Sequence, residues 1–147
     1  MKINKMDKEL IIAICERLKD AVPQLRWIDI EEGQLDTEER PAAAWPCAFV
    51  DIAYINCESG AGGKQTVTAE INLRIAFLRT GTTNAAAPIE VRKKALEKYD
   101  IINNIHQALQ WWDNGKFAPL QRIKATSAGR YDGIKIFNIV YRTKFME

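Results

Sequence analysis

The sequence predicts an α+β domain: a mainly antiparallel four-stranded sheet with two helices packed on one face, in the order α-β-β-α-β-β. Three observations predict it. From Thr66 to Phe77 the chain alternates without a break, with Val67, Ala69, Ile71, Leu73, Ile75 and Phe77 on one side. Thr66, Thr68, Glu70, Asn72, Arg74 and Ala76 fall on the other, the period of a long strand with one packed face and one face wet or engaged by a partner. Two other segments instead carry apolar residues at three- and four-residue steps, the period of a helix lying on a core. Finally, two clusters rich in glycine, at Gly60–Gly63 and Gly129–Gly133, sit between alternating runs, where a hairpin must reverse.

Along the chain, Leu10, Ile11, Ile14, Leu18 and Val22 define a first helix from about Asp7 to Ala21, with Asp7 as N-cap and Pro23 as stop. Gln24 to Pro46 reads as a long, mostly irregular arm in which Leu25, Trp27, Ile28 and Ile30 form one short extended piece; connections of this length are often functional. Ala48 to Ile55 is a strand that sets Val50, Ile52 and Tyr54 against Phe49, Asp51 and Ala53. Its turn spans Glu58–Gly63, within a mobile loop at about 57–64, and the long alternating strand returns from it. Thr80 to Pro88 is a second mobile loop, rich in Gly, Thr, Asn and Ala. A single long helix then runs from Ile89 to Trp112, burying Leu96, Tyr99, Ile102, Ile105, Leu109 and Trp112, with Gly115 as its left-handed cap. Leu120–Ser127, a turn holding Asp132-Gly133, and Ile134–Phe145 close the chain as a second hairpin.

At 147 residues the chain has the length of one domain and can bury enough surface to fold without metal or disulfide staples. Its 47% hydrophobic and 27% charged residues exclude a disordered chain, and a net charge of +2 does not mark a nucleic-acid binder. Cys15, Cys47 and Cys57 have no CxxC pair, which fits inert thiols in a reducing compartment. The apolar run Leu10–Cys15 is too short for a signal-peptide core or a membrane span, so a cytoplasmic setting is the simplest expectation. Charge is unevenly placed. Asp29, Glu31, Glu32, Asp36, Glu38 and Glu39 are six acids with no base among residues 29–39. Residues 114–147 hold seven bases and two acids, +5 in all. Two solvated surfaces of opposite sign are one reading. The other is a head-to-tail contact between copies, in which Asp29, Glu31, Glu32 and Asp36 of one subunit meet Arg122, Lys124 and Arg130 of the next. The Thr80–Pro88 loop is a further candidate for subunit contact.

No motif carries catalytic chemistry. Gly63-Lys64 lacks the P-loop's glycine five residues earlier, where Glu58 stands, and Gln65 replaces the Ser or Thr that would reach magnesium. His106 is alone, without the companions that a metal site or a nucleophile–base pair needs, and reads as a packing or surface residue on the long helix. The acidic arm lacks the order of a calcium loop. Trp111 and Trp112 are neighbours on a helix, so one is buried and the other is free for an interface or for packing under the arm.

Several segments together carry a resemblance: the N-terminal helix, Trp27-Ile28-Asp29 with Gln34-Leu35, and the Pro-led strand Trp45-Pro46-Cys47-Ala48-Phe49-Val50-Asp51-Ile52. The long helix ending near Phe117-x-x-Leu120 and the last strand Val140–Phe145 complete it. On these the chain resembles the tail terminator and minor tail proteins of long-tailed bacteriophages and their prophages. The resemblance implies a small α+β subunit of a homo-oligomeric ring, typically a hexamer, that caps the tail tube, halts its growth and docks the head. It implies no catalytic residue, no cofactor and no metal. Its partners would be further copies of itself, the tail tube and head-completion or connector proteins, with no membrane and no specific nucleic acid. It places the protein in the bacterial cytoplasm during assembly and then in the virion tail. The alternatives are another head–tail connector or a tube subunit, or a small ligand-binding module.

Overall fold

A computed structural model describes residues 6–147. Helix α1 (Met6–Ala21) leads into strand β1 (Trp27–Ile30), and β2 (Cys47–Ser59) and β3 (Gln65–Leu78) form the first hairpin. Helices α2 (Ile89–Ala95) and α3 (Glu97–Leu109) precede the second hairpin, β4 (Gln121–Gly129) and β5 (Ile134–Met146). The sheet order is β1-β2-β3-β5-β4.

The α+β character holds, but the sheet departs from expectation. It has five strands, not four, and it is mixed, because Trp27–Ile30 pairs in parallel with Cys47–Val50. The extended piece in the arm was visible as such; its partner lies twenty residues downstream and no local pattern announces the pairing. The helix count also differs, since the predicted long helix is broken into α2 and α3 at Leu96. There the backbone reaches φ −97°, ψ 6°, and the Leu96 N–H is shared between the carbonyls of Arg92 (3.0 Å) and Lys93 (3.2 Å). The break changes the helical phase. Ala95 turns inward, while Leu96 and Tyr99, expected in the core, are 38% and 48% exposed. Helix α3 ends at Leu109, before the expected cap. Trp111 takes the left-handed conformation (φ 63°), and Gly115 serves the following turn, where its N–H donates to Asp113 Oδ1 (2.9 Å). Asp7 lies inside the first turn of α1, not at its cap.

Elsewhere the pattern is realised. The odd residues of β3 from Val67 to Phe77 pack in the main core with Leu10, Ile14, Leu18 and Val22 of α1 and Ile105, Ala108 and Leu109 of α3. Phe137, Ile139, Tyr141 and Phe145 of β5 join them. A second, smaller core lies on the opposite face, where Leu35 of the arm covers Cys47, Phe49, Ala76, Ile134 and Ile136. Helices thus cover one face and the arm covers one end of the other. The hairpin between β4 and β5 turns through Asp132-Gly133, and Gly133 at φ 84° occupies the conformation that a residue with a Cβ resists.

Candidate assembly surface

Arg74 organises the arm. It projects from the middle strand onto the face opposite the helices, where its guanidinium meets Glu31 Oε1 (3.0 Å) and both carboxylate oxygens of Asp36 (3.0 and 2.9 Å). Partial burial pulls the guanidinium pKa down, but the hydrogen bonds and charges of Asp36 and Glu31 outweigh it and hold it above the ordinary value. A second clasp comes from the β4–β5 turn. Arg130 donates to the carbonyls of Leu35 (2.9 Å) and Glu38 (3.3 Å) while paired with Asp132 (3.0 Å), and the Tyr131 hydroxyl donates to the Glu38 carbonyl (3.0 Å). Arg40 completes it by donating to the Asp132 carbonyl (2.9 Å).

The residues singled out for a contact between copies therefore fall into two groups. Glu31, Asp36 and Arg130 are engaged within their own chain. Asp29 accepts the neighbouring N–H of Ile30, and Glu32 is exposed. Arg122 and Lys124 lie on β4, far from the arm, with exposed side chains. Sequence reasoning passed over Arg74 as an organiser. The signal was present: a basic residue on the outward face of the long strand, and an acidic stretch of the arm, residues 29–39, with no base within it.

Two stretches of the sheet stand uncovered. The far face of β3 and β5 beyond the arm carries Thr66, Thr68, Glu70, Asn72, Asn138, Val140, Arg142 and Lys144, with Arg142 paired to Glu70 at 2.9 Å. Strand β4 is exposed at all nine residues, on both faces, and the end of α3 touches it only through Gln110 Oε1 at the Arg122 N–H (2.8 Å). Both lateral edges are open among the described residues. β4 is a terminal strand, and β1 pairs only with the first four residues of β2, leaving the rest of that edge free. Open edges are a template for a further strand.

Two further polar side chains, His106 and Arg17, have structural partners. Tyr141 is wholly buried and its hydroxyl meets His106 Nδ1 at 2.9 Å, which accounts for the only histidine as a packing partner. Burial pushes Tyr141 up to about 12, and desolvation with nearby Arg122 lowers the His106 pKa. Arg17 donates to the Ala108 carbonyl near the end of α3 (2.9 Å) and stacks on Trp112 at 5.5 Å. Trp112 is the partly buried member of its pair and Trp111, 64% exposed, the free one. Among the described residues no three His, Cys, Asp or Glu side chains converge as a metal site, and no helix is long and apolar enough to cross a membrane. A cleft of about 510 Å³ opens beside Trp45, Phe77 and Ile101, with Arg26, Lys94 and Lys98 at its rim.

No protein-family model matches the chain. No curated protein matches it in sequence. Among solved structures, it is similar to a chain of the virion of a native gene transfer agent particle, with a TM-score of 0.62 at 12% identity, over 98% of this chain and 100% of that one. The fold of the chain is thus one that a virion component also adopts from end to end.

Proposed function

We propose that this protein is a structural component of a phage-type virion, and more narrowly a tail terminator whose copies close into a ring on the end of the tail tube. The observation that carries this reading is the full-length likeness in fold to a virion chain, with almost nothing left over on either side. The open edges and the uncovered polar sheet face support it, since a subunit that works by docking needs surfaces its own core does not consume. In this role no side chain reacts; Arg74, Arg130 and His106 hold the fold. The ring's partners are further copies, the tail tube and a head connector, and its place is the virion tail.

Sedimentation of the purified protein across concentration and salt, followed by negative-stain microscopy and addition to growing tail tubes, tests the proposal. The expected result is a closed ring that halts tube elongation. Filaments in place of rings would replace the terminator reading with that of a tube subunit. A strict monomer at high concentration and low salt would overturn self-assembly altogether.

A further inference from the structure

The two open edges of the sheet match one another, and the geometry points to strand addition between copies: β4 of one subunit pairs antiparallel with residues 52–59 of β2 in the next. This rests on the self-assembly reading above and names the contact that would build the ring.

Backbone direction comes first. The Val50 carbonyl accepts from the Glu31 N–H (2.9 Å), so the even residues of β2 turn their main-chain groups to the edge, and Ile52 and Tyr54 continue that set. After the irregularity between Tyr54 and Asn56 the outward set becomes Cys57 and Ser59. Its check is the Gln65 N–H, which donates to Glu147 on the β5 side, so the Ser59–Gln65 pair is not hydrogen-bonded. On β4, the Arg130 N–H donates inward to Ile134 (2.7 Å), which leaves Ala125, Ser127 and Gly129 facing outward. The Arg122 N–H also faces out and is held by Gln110 Oε1 at 2.8 Å.

Strand direction comes next. β2 and β5 both run antiparallel to β3, and β4 runs antiparallel to β5. Copies related by rotation about an axis therefore present β2 antiparallel to the preceding β4. Register follows from two constraints. Side chains must stay on matching faces, so only shifts of an even number of residues are allowed. β1 and Glu31 fill the lane beside β2 as far as Val50. The first register that meets both sets Gly129 opposite Ile52, Ser127 opposite Tyr54 and Ala125 opposite Cys57. Every outward N–H and carbonyl then finds a partner in that run.

Charge agrees with the register. Lys124 falls directly opposite Glu58; residues 121–129 carry Arg122 and Lys124 and no acid, while 51–59 carry Asp51 and Glu58 and no base. The stagger agrees as well. Gly129 is level with Lys135, and Ile52, through Ile71, is level with Tyr141, a shift of six residues. That is about 20 Å along the strands against about 19 Å across the four strands β2, β3, β5 and β4. The resulting tilt is about 45°, at the upper end of what closed barrels adopt.

The test uses the thiol already present. Cys57 is exposed, and within one chain Ala125 lies three strands and six residues away, about 24 Å, beyond any disulfide. Ala125→Cys under mild oxidation should yield a ladder of covalently linked copies on a non-reducing gel, ending at the ring's own size. Adding Cys57→Ser should abolish it. Ser127→Pro, which removes an N–H that the monomer does not use, should keep the folded circular-dichroism spectrum while raising the concentration needed for assembly at least tenfold. Rings that persist in Ser127→Pro, or that form in Ala125→Cys without a Cys57-dependent link, would overturn the edge contact and leave the ring standing. An unmodified protein that never assembles would overturn both.

Discussion

Replacing Arg74 with Met keeps the packed stem and deletes the guanidinium, isolating the clamp that holds the arm on the sheet. The side chain of Glu31 is only 16% exposed, and with Arg74 gone its carboxylate loses its counter-charge at 3.0 Å and keeps only the Gly33 N–H at 3.2 Å, while its second oxygen already has no partner in the protein. Stranding a partly buried carboxylate in this way costs about 2–3 kcal/mol. Asp36 is different: at 64% exposure it is solvated with or without Arg74, and its share is about 0.5 kcal/mol. The sum, about 3 kcal/mol, corresponds to a fall of about 1.5 M in the urea midpoint at a slope near 2 kcal/mol per molar. Asp36→Asn alone should cost less than 1 kcal/mol. Digestion by a glutamate-specific protease should speed up at Glu32, Glu38 and Glu39 in Arg74→Met before global unfolding begins. A loss below about 0.5 kcal/mol in Arg74→Met would show that Arg130 and Leu35 hold the arm unaided, and the clamp argument would fail.

Other expectations follow from the cores and the thiols. Ile71→Ala, in the fully buried centre of β3, should cost about 2–5 kcal/mol by thermal or urea unfolding. Thiol titration should find Cys57 reacting at once and Cys15 slowly, while Cys47, wholly buried and pushed up to about 11, reacts only on unfolding. The lowered His106 pKa means that the unfolded chain takes up the proton first as pH falls. The stability tied to its neutral form is therefore complete above the unfolded value of 6.5 and is lost as pH drops through the folded value. His106→Gln should flatten stability in that window, and the single imidazole resonance in a proton spectrum reports the folded pKa directly.

Much of the strand architecture was legible because its period is local. The face assignments of Val50, Ile52 and Tyr54, and of every odd residue from Val67 to Phe77, required only alternation. The breaks in legibility have particular causes. Helix periodicity carried the stripe at Ile102, Ile105 and Leu109, but misplaced Leu96 and Tyr99, because it does not hold the change of phase at Leu96, where one N–H is shared between two carbonyls. The acidic arm was visible as charge, whereas its partner Arg74 was not, since their meeting joins positions 38 and 43 residues apart.

Sequence by itself determined the alternation, the helical stripes, the turn glycines and the separation of acid from base, because each depends on neighbours within a few residues. Tertiary structure decided that Trp27–Ile30 becomes a fifth strand, that Glu31 and Asp36 spend their charge inside the chain, and that β4 and the far end of β2 are left bare. Those outcomes turn on which distant segments compete for the same edge or the same counter-charge, and a one-dimensional pattern does not hold that contest.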